Sequence, residues 1–246
     1  EGLSYKFAFG PDFRYRRHGI FIDSSSAVKM GSANYASWAS NRYFSWTLDN
    51  MVMYNKKFGE HNLGVTLLQS ASKYNAENAS MSEQNVLVPE FLWNNMGLID
   101  ITNSTKYKAG MGTGKSENQM ASYMARVNYS YKDRYLLTVS GRYDGSSVLA
   151  EGNKWAFFPA VAFKWSINNE SFMSNVGNWL TDLSLRLSAG RSGNDAVSSY
   201  VSQMALTTNT SGWLFGDTQE VAYYPTRLDN PDLTWEKTDS YNVGID

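Results

Sequence analysis

Residues 155–167 read WAFFPAVAFKWSI, and their two-residue alternation decides the fold. Trp155, Phe157, Val161, Phe163, Trp165 and Ile167 fall on one side, and Ala160, Ala162, Lys164 and Ser166 on the other. Successive side chains of a strand point to opposite faces, so this is a strand with one large apolar face and one small, wet face. The pattern recurs. In 135–144, Leu137, Val139, Gly141 and Tyr143 oppose Thr138, Ser140, Arg142 and Asp144. In 183–190, Leu183, Leu185 and Leu187 oppose Ser184, Arg186 and Ser188. In 3–15, Leu3, Tyr5, Phe7, Phe9, Phe13 and Tyr15 oppose Ser4, Lys6, Ala8, Gly10, Asp12 and Arg14. Further strands are expected near 42–55, 62–74, 121–131 and 237–246.

A soluble sandwich also alternates. Two details favour a membrane wall. The strands run to about ten to fourteen residues, against about five or six in soluble sheets, and about ten tilted residues cross a bilayer. The cations Lys6, Arg126, Arg142, Lys164 and Arg186 all sit on the small, polar face. A Lys or Arg facing lipid at the midplane costs roughly 2–4 kcal/mol, while one facing a wet lumen costs little. Gln69 and Lys73 fall on the apolar side, so that strand is expected to leave the membrane near them.

Composition agrees. The 246 residues are 42% hydrophobic and 15% aromatic, with 16 Tyr and 8 Trp, rings that favour apolar–aqueous boundaries. Mean hydropathy is −0.43, and no run of eighteen apolar residues offers a transmembrane helix. A net charge of −1 without a basic block argues against nucleic acid as partner. The absence of cysteine excludes disulfides and thiolate metal sites. His18 and His61 lack metal-ligand spacing and read as loop or turn residues. No signal peptide is visible at Glu1, so the chain has lost one or begins inside something longer.

Short connections at 55–62 and 131–134 alternate with long ones at 17–41, 75–119, 145–153 and 193–235. That is the pattern of short periplasmic turns and long extracellular loops in outer-membrane barrels. The connection 168–182, on the short-turn side, is longer and is expected to hold a helical turn. GMGTGKS at 110–116 resembles a phosphate-binding loop, but the required first glycine is Ala109 and no strand–helix alternation surrounds it. It reads instead as a flexible glycine-rich loop. Asp229, Asp232 and Glu236 are acidic enough to invite a cation but read as a solvated loop. No catalytic constellation is present, and no cofactor is expected. Trp93, Trp213, Tyr223 and Tyr224 lie in the long connections, where they would stack on sugar rings, meet a partner lid, or pack loop against loop. Arg126, Arg142, Lys164 and Arg186 are expected to line the lumen. The three arginines are the candidates on that face to pair with carboxylates.

The stretches YSYKDRYLLTVSGRYDGSS (129–147), KWAFFPAVAFKWSINNESFM (154–173), LSLRLSAGRSGN (183–194) and NPDLTWEKTDSYNVGID (230–246) resemble the barrel of SusC/RagA-type TonB-dependent transporters. The resemblance is carried mainly from residue 120 onward. It implies an all-β, transmembrane antiparallel β-barrel, of which these residues supply about eight of 22 strands, with residues 1–246 a middle part lacking the plug and the terminal strands. It also implies coupling to TonB, a SusD-like surface lipoprotein closing the mouth, and uptake of oligosaccharides or peptides across the bacterial outer membrane. Two alternatives remain at this stage: a small complete barrel acting as anchor or adhesin, and a secreted carbohydrate-binding β-sandwich.

Overall fold

The computed structural model describes residues 2–97, 110–173, 180, 182–215 and 218–246, and over 209–215 and 218–220 the backbone alone. The chain is nearly all β. Its strands are β1 (Gly2–Ile22), β2 (Tyr35–Phe58), β3 (His61–Gln84), β4 (Gly110–Tyr131), β5 (Tyr135–Ser146), β6 (Trp155–Ser166), β7 (Ser184–Asn194), β8 (Ala205–Phe215), β9 (Thr218–Arg227) and β10 (Glu236–Ile245). Eight of them form one sheet in the order β1-β2-β3-β4-β5-β6-β7-β10, and β8 and β9 form a separate hairpin. Among the described residues β1 and β10 do not pair with each other, so the sheet is open and a closed eight-stranded barrel is not formed.

Three expectations are corrected here. The connections 17–41 and 75–119 are in part strand: β1 and β2 run for 21 and 24 residues, β3 and β4 for 24 and 22. GMGTGKS opens β4 rather than forming a loop. The expectation rested on Gly, Ser and Asn as loop formers, but in a paired strand a long polar partner can cover the missing side chain. A Cβ on Gly114 would lie 2.4 Å from Asn78 Oδ1, and one on Gly110 2.8 Å from Ser82 Oγ. The expected helical turn at 168–182 is found as two single 3-10 turns, Ile167–Asn169 and Ser171–Met173. Part of 193–235, read as loop, carries the β8–β9 hairpin.

The short connections are built as turns. Lys132 and Asp133 both take positive φ, 55° and 52°, and Arg134 N donates to Tyr131 O at 3.0 Å. That is the backbone of a type I′ hairpin, whose twist matches the strands it joins.

The chain divides into two compact units, the first of Glu1–Gly10, Thr47–Ser72 and Asn118–Asp246, the second of Pro11–Trp46 and Lys73–Glu117. The first unit's buried cluster holds Val148, Leu149, Ala156, Phe158 and Trp235. Phe158 and Trp235 meet edge to face at 5.3 Å, and Trp235 Nε1 donates to Lys154 O at 2.9 Å. Phe158 thus spends an aromatic ring on the otherwise small face, where the strand meets its loop. The second unit's cluster joins Ala36, Val86 and Met96 with Phe21, Trp38 and Trp93. Asn34 locks it by pairing with the Val86 backbone, Nδ2 to O at 3.0 Å and N to Oδ1 at 2.7 Å.

Candidate functional site: two faces of one wall

In the first unit the register sorts the residues into rows that cross β4, β5, β6, β7 and β10. One row reads Val127, Val139, Val161, Ala189, Tyr241, and the next Tyr129, Leu137, Phe163, Leu187, Val243. A third reads Tyr131, Tyr135, Trp165, Leu185, Ile245. The rows between them belong to the other face: Arg126, Ser140, Ala160, Gly190, Ser240, then Asn128, Thr138, Ala162, Ser188, Asn242. Strand register with a period of two therefore builds one continuous apolar surface and one continuous surface of small polar groups.

The apolar surface stays open to the surroundings. Tyr241, Val243 and Ile245 are 79%, 76% and 74% exposed, and Leu137, Val139, Phe157 and Val161 are also exposed. It is bordered by stacked rings at both ends. Tyr143 and Trp155 stack at 4.9 Å, Tyr123 and Trp155 at 6.3 Å. At the other border Tyr131 and Tyr135 stack at 6.5 Å, and Tyr135 and Trp165 at 6.4 Å. His61 joins this border. Its ring lies 5.1 Å from Phe58 and 4.7 Å from Tyr131, and its Nδ1 is 2.6 Å from the Tyr129 hydroxyl. From Tyr135 to Tyr143 is about 27 Å of strand, roughly 20 Å when tilted as barrel strands are, close to the apolar band of about 25 Å between aromatic girdles.

Glu170, in the turn after β6, ties down the second border. It accepts from the Tyr135 hydroxyl at 2.6 Å, Trp165 Nε1 at 3.1 Å and Arg134 Nη1 at 3.0 Å. These donors, Tyr135 first, hold its carboxyl below the usual glutamate range. Glu170 was not singled out from sequence, and His61 was read there only as a loop or turn residue. They meet Tyr129 and Tyr135 across 68 and 35 positions of sequence, respectively, and only the register brings those together.

The four cations expected on the polar face do share it. Arg142 Nε bonds both oxygens of Asp144 at 2.7 and 2.8 Å, and its Nη2 reaches Ser122 Oγ at 2.9 Å. Arg186 Nη2 pairs with Asp246 Oδ1, and Asp246 Oδ2 accepts from Ser184 Oγ at 3.1 Å. Lys164 sits directly across from Arg186, like charge against like, and forms no ion pair among the described residues. Arg126 lines a trough of about 410 Å³ with Thr138, Ser140, Ser188 and Asn242, and it too has no ion-pair partner among the described residues. Two of the four cations are therefore matched within the wall and two are left over.

The aromatic candidates are dispersed. Trp93 packs its ring over Gly19 inside the second unit's cluster. Tyr223 and Tyr224, adjacent on β9, are 71% and 46% exposed and take opposite sides of the hairpin, across from Thr208 and Thr207. Trp213 lies in β8, with its side chain outside the described residues. Among the described residues no three His, Asp or Glu converge as a metal site, Asp229, Asp232 and Glu236 included. Lys115 of GMGTGKS has its Nζ 3.5 Å from Glu77. No helix of the described residues is long and apolar enough to cross a membrane.

Residues 2–246 match the family model described as TonB dependent receptor-like, beta-barrel. The chain belongs to that family. Its curated relatives include TonB-dependent receptor P26 of Formosa agariphila, 32% identical over 97% of the chain, and TonB-dependent receptor SusC of Bacteroides thetaiotaomicron, 38% identical over 53%. The chain spans 24% of the former's length and 13% of the latter's. Among solved structures the RagAB peptide transporter superposes over the whole chain with a TM-score of 0.85 at 23% identity, covering 26% of that chain. That likeness establishes the fold: this TonB-dependent receptor segment is an open, eight-stranded piece of a RagA-like barrel wall. β-Barrels of this family are outer-membrane proteins, and the family is one of receptors and transporters rather than enzymes.

Proposed function

We propose that residues 1–246 form a middle part of the barrel of an active importer, which works with a SusD-like surface lipoprotein and draws energy through TonB. The observation that carries this reading is the division of the wall into a mainly apolar surface and a mainly small, polar one. A membrane wall needs the first against lipid and the second against a water-filled passage. The aromatic borders supply the interfaces.

Cargo on this reading is an oligosaccharide or a peptide. The fold shared with RagAB, a peptide transporter, supports the second option, and the family resemblance of residues 129–246 keeps the first. The two leftover cations, Arg126 and Lys164, belong to the inner surface. Together with Arg142 and Arg186 they are suited to meet carboxylates of a domain seated inside the barrel. Trp93, Trp213, Tyr223 and Tyr224 are assigned to the outer end, where the long connections face lid or cargo.

Detergent extraction of the protein from its own outer membrane, followed by pull-down, tests this. Co-purification of a surface lipoprotein, lost together with uptake when segment 85–109 is shortened, is the expected result. Recovery of the barrel alone, with uptake unchanged by the shortening, would overturn the partnership.

A further inference from the structure

β1 to β4 run for 21 to 24 residues, about twice what a tilted strand needs to cross a bilayer. The part of them that lies in the second unit has two sides of different chemistry. On one side the contacts are ion pairs, Glu77 with Arg42 and Lys115, and Lys73 with Glu117. On the other they run through aromatic rings. The Arg14 guanidinium lies over the Tyr43 ring, 5.6 Å from its centroid, and Tyr43 stacks with Tyr74 at 6.4 Å, with 27° between the rings. Tyr74 and Glu77 are three residues apart on β3, so they take opposite sides. Arg14 alternates with Phe13 and Tyr15, which puts the aromatic run on the polar side of β1.

Hydrogen-bonding groups border this run. Arg14 Nε is 3.3 Å from Asp12 Oδ2, and both side chains are more than half exposed. Asp12 cancels the charge of Arg14, so the pair does not call for an anion. Four residues beyond Tyr74, on the same side of β3, stands Asn78, whose Oδ1 leans over Gly114 of β4. Asn78 is exposed and has no hydrogen bond among the described residues. Nor has Asn41, two residues from Tyr43 on the same side of β2. Rings, a charge-neutral ion pair and free amides together suit a ligand that has an apolar face and a rim of hydroxyls. An aromatic ring covers the C–H face of a pyranose. A planar carboxylate, guanidinium or amide presents two adjacent polar atoms to a vicinal pair of hydroxyls.

We propose that this patch binds a neutral oligosaccharide, with one pyranose ring packed on Tyr43 and Tyr74 and the hydroxyls of the chain held by the Asp12–Arg14 pair and Asn78. From Tyr74 to Asn78 is about 13 Å of strand, farther than one sugar ring reaches, so the ligand is a chain of sugars rather than a single one. The inference rests on the importer reading above, and within it decides the cargo in favour of sugar.

The test uses the full-length protein, extracted from its outer membrane into a neutral detergent and titrated in a calorimeter. Maltohexaose, cellohexaose and mannohexaose are the probes, and a Gly-Ser peptide of the same number of units is the control. At least one of the sugars is expected to bind, and the peptide is not. Tyr74→Ala should weaken binding about 10-fold, the loss of one aromatic contact, and Tyr74→Phe, which keeps the ring, should restore most of it. Asn78→Leu, at an exposed position where folding is not at stake, should weaken binding as well. Lys115→Ala, on the other side of the same strands, should leave it unchanged. Binding of none of the sugars, equal binding of the peptide, or affinity unchanged by both Tyr74→Ala and Asn78→Leu would overturn the site. Sugar bound at this patch by a protein whose uptake in cells does not depend on TonB would overturn the importer reading and leave the site standing, so the two failures are distinct.

Discussion

At the scale of single residues, Glu170 and Gly145 show how the border of the wall is set. Glu170 is held in its charged form by Tyr135, Trp165 and Arg134. A carboxylate with a depressed folded-state pKa contributes stability that is fully present above the ordinary glutamate range and is lost as pH falls through its own lower value. Acidification below about pH 4.5 is therefore expected to loosen the turn after β6 and shift the emission of Trp165. Glu170→Gln should remove that acid transition, and an identical transition in the variant would contradict the assignment. Gly145 has the Trp155 ring where a Cβ would be, with the nearest atom at 2.5 Å. Gly145→Val should push Trp155 off Tyr143 and destabilise the barrel by about 1–3 kcal/mol, read as a lower temperature for loss of its heat-resistant gel band. The alternating face of each such residue was legible in the sequence. The partners of Glu170 and His61 were not, because hydrogen bonds across a sheet depend on register, and register is set by the whole row of neighbours.

At the scale of elements, the strands at 155–167 and 135–144 were legible because large rings alternate there with small polar residues. The upper reaches of β1 to β4 were not, because Gly, Ser and Asn carry no such contrast. Their strand character comes from pairing: Lys115 in β4 meets Glu77 in β3, which also lies 4.0 Å from Arg42 in β2, and Lys73 meets Glu117 at 2.9 Å. Arg42, Glu77 and Lys115 are exposed enough that each of their pairs contributes under about 1 kcal/mol, while Lys73 and Glu117 are half-buried. Lys115→Ala is accordingly expected to leave folding almost unchanged, with no micromolar ATP binding before or after the substitution by equilibrium dialysis. Binding that is present in the native protein and disappears in the variant would restore the phosphate-loop reading.

At the scale of the whole molecule, the account stands on which way the faces point. Family membership places the chain among outer-membrane barrels, and the rows of β4 to β7 and β10 divide into one apolar and one polar surface. A β-sandwich would bury the apolar surface against a second sheet. Here Tyr241, Val243 and Ile245 remain more than 70% exposed, as a lipid-facing surface would. The most direct measurement is single-cysteine labelling in intact outer membranes, with 139, 161, 163 and 187 on one face and 138, 162, 164 and 188 on the other. The account predicts that a membrane-impermeant maleimide reacts slowly or not at all with the first four, and that a lipid-phase quencher reaches them. The second four should be shielded from that quencher. Equal quenching and equal maleimide rates across the two sets would contradict it.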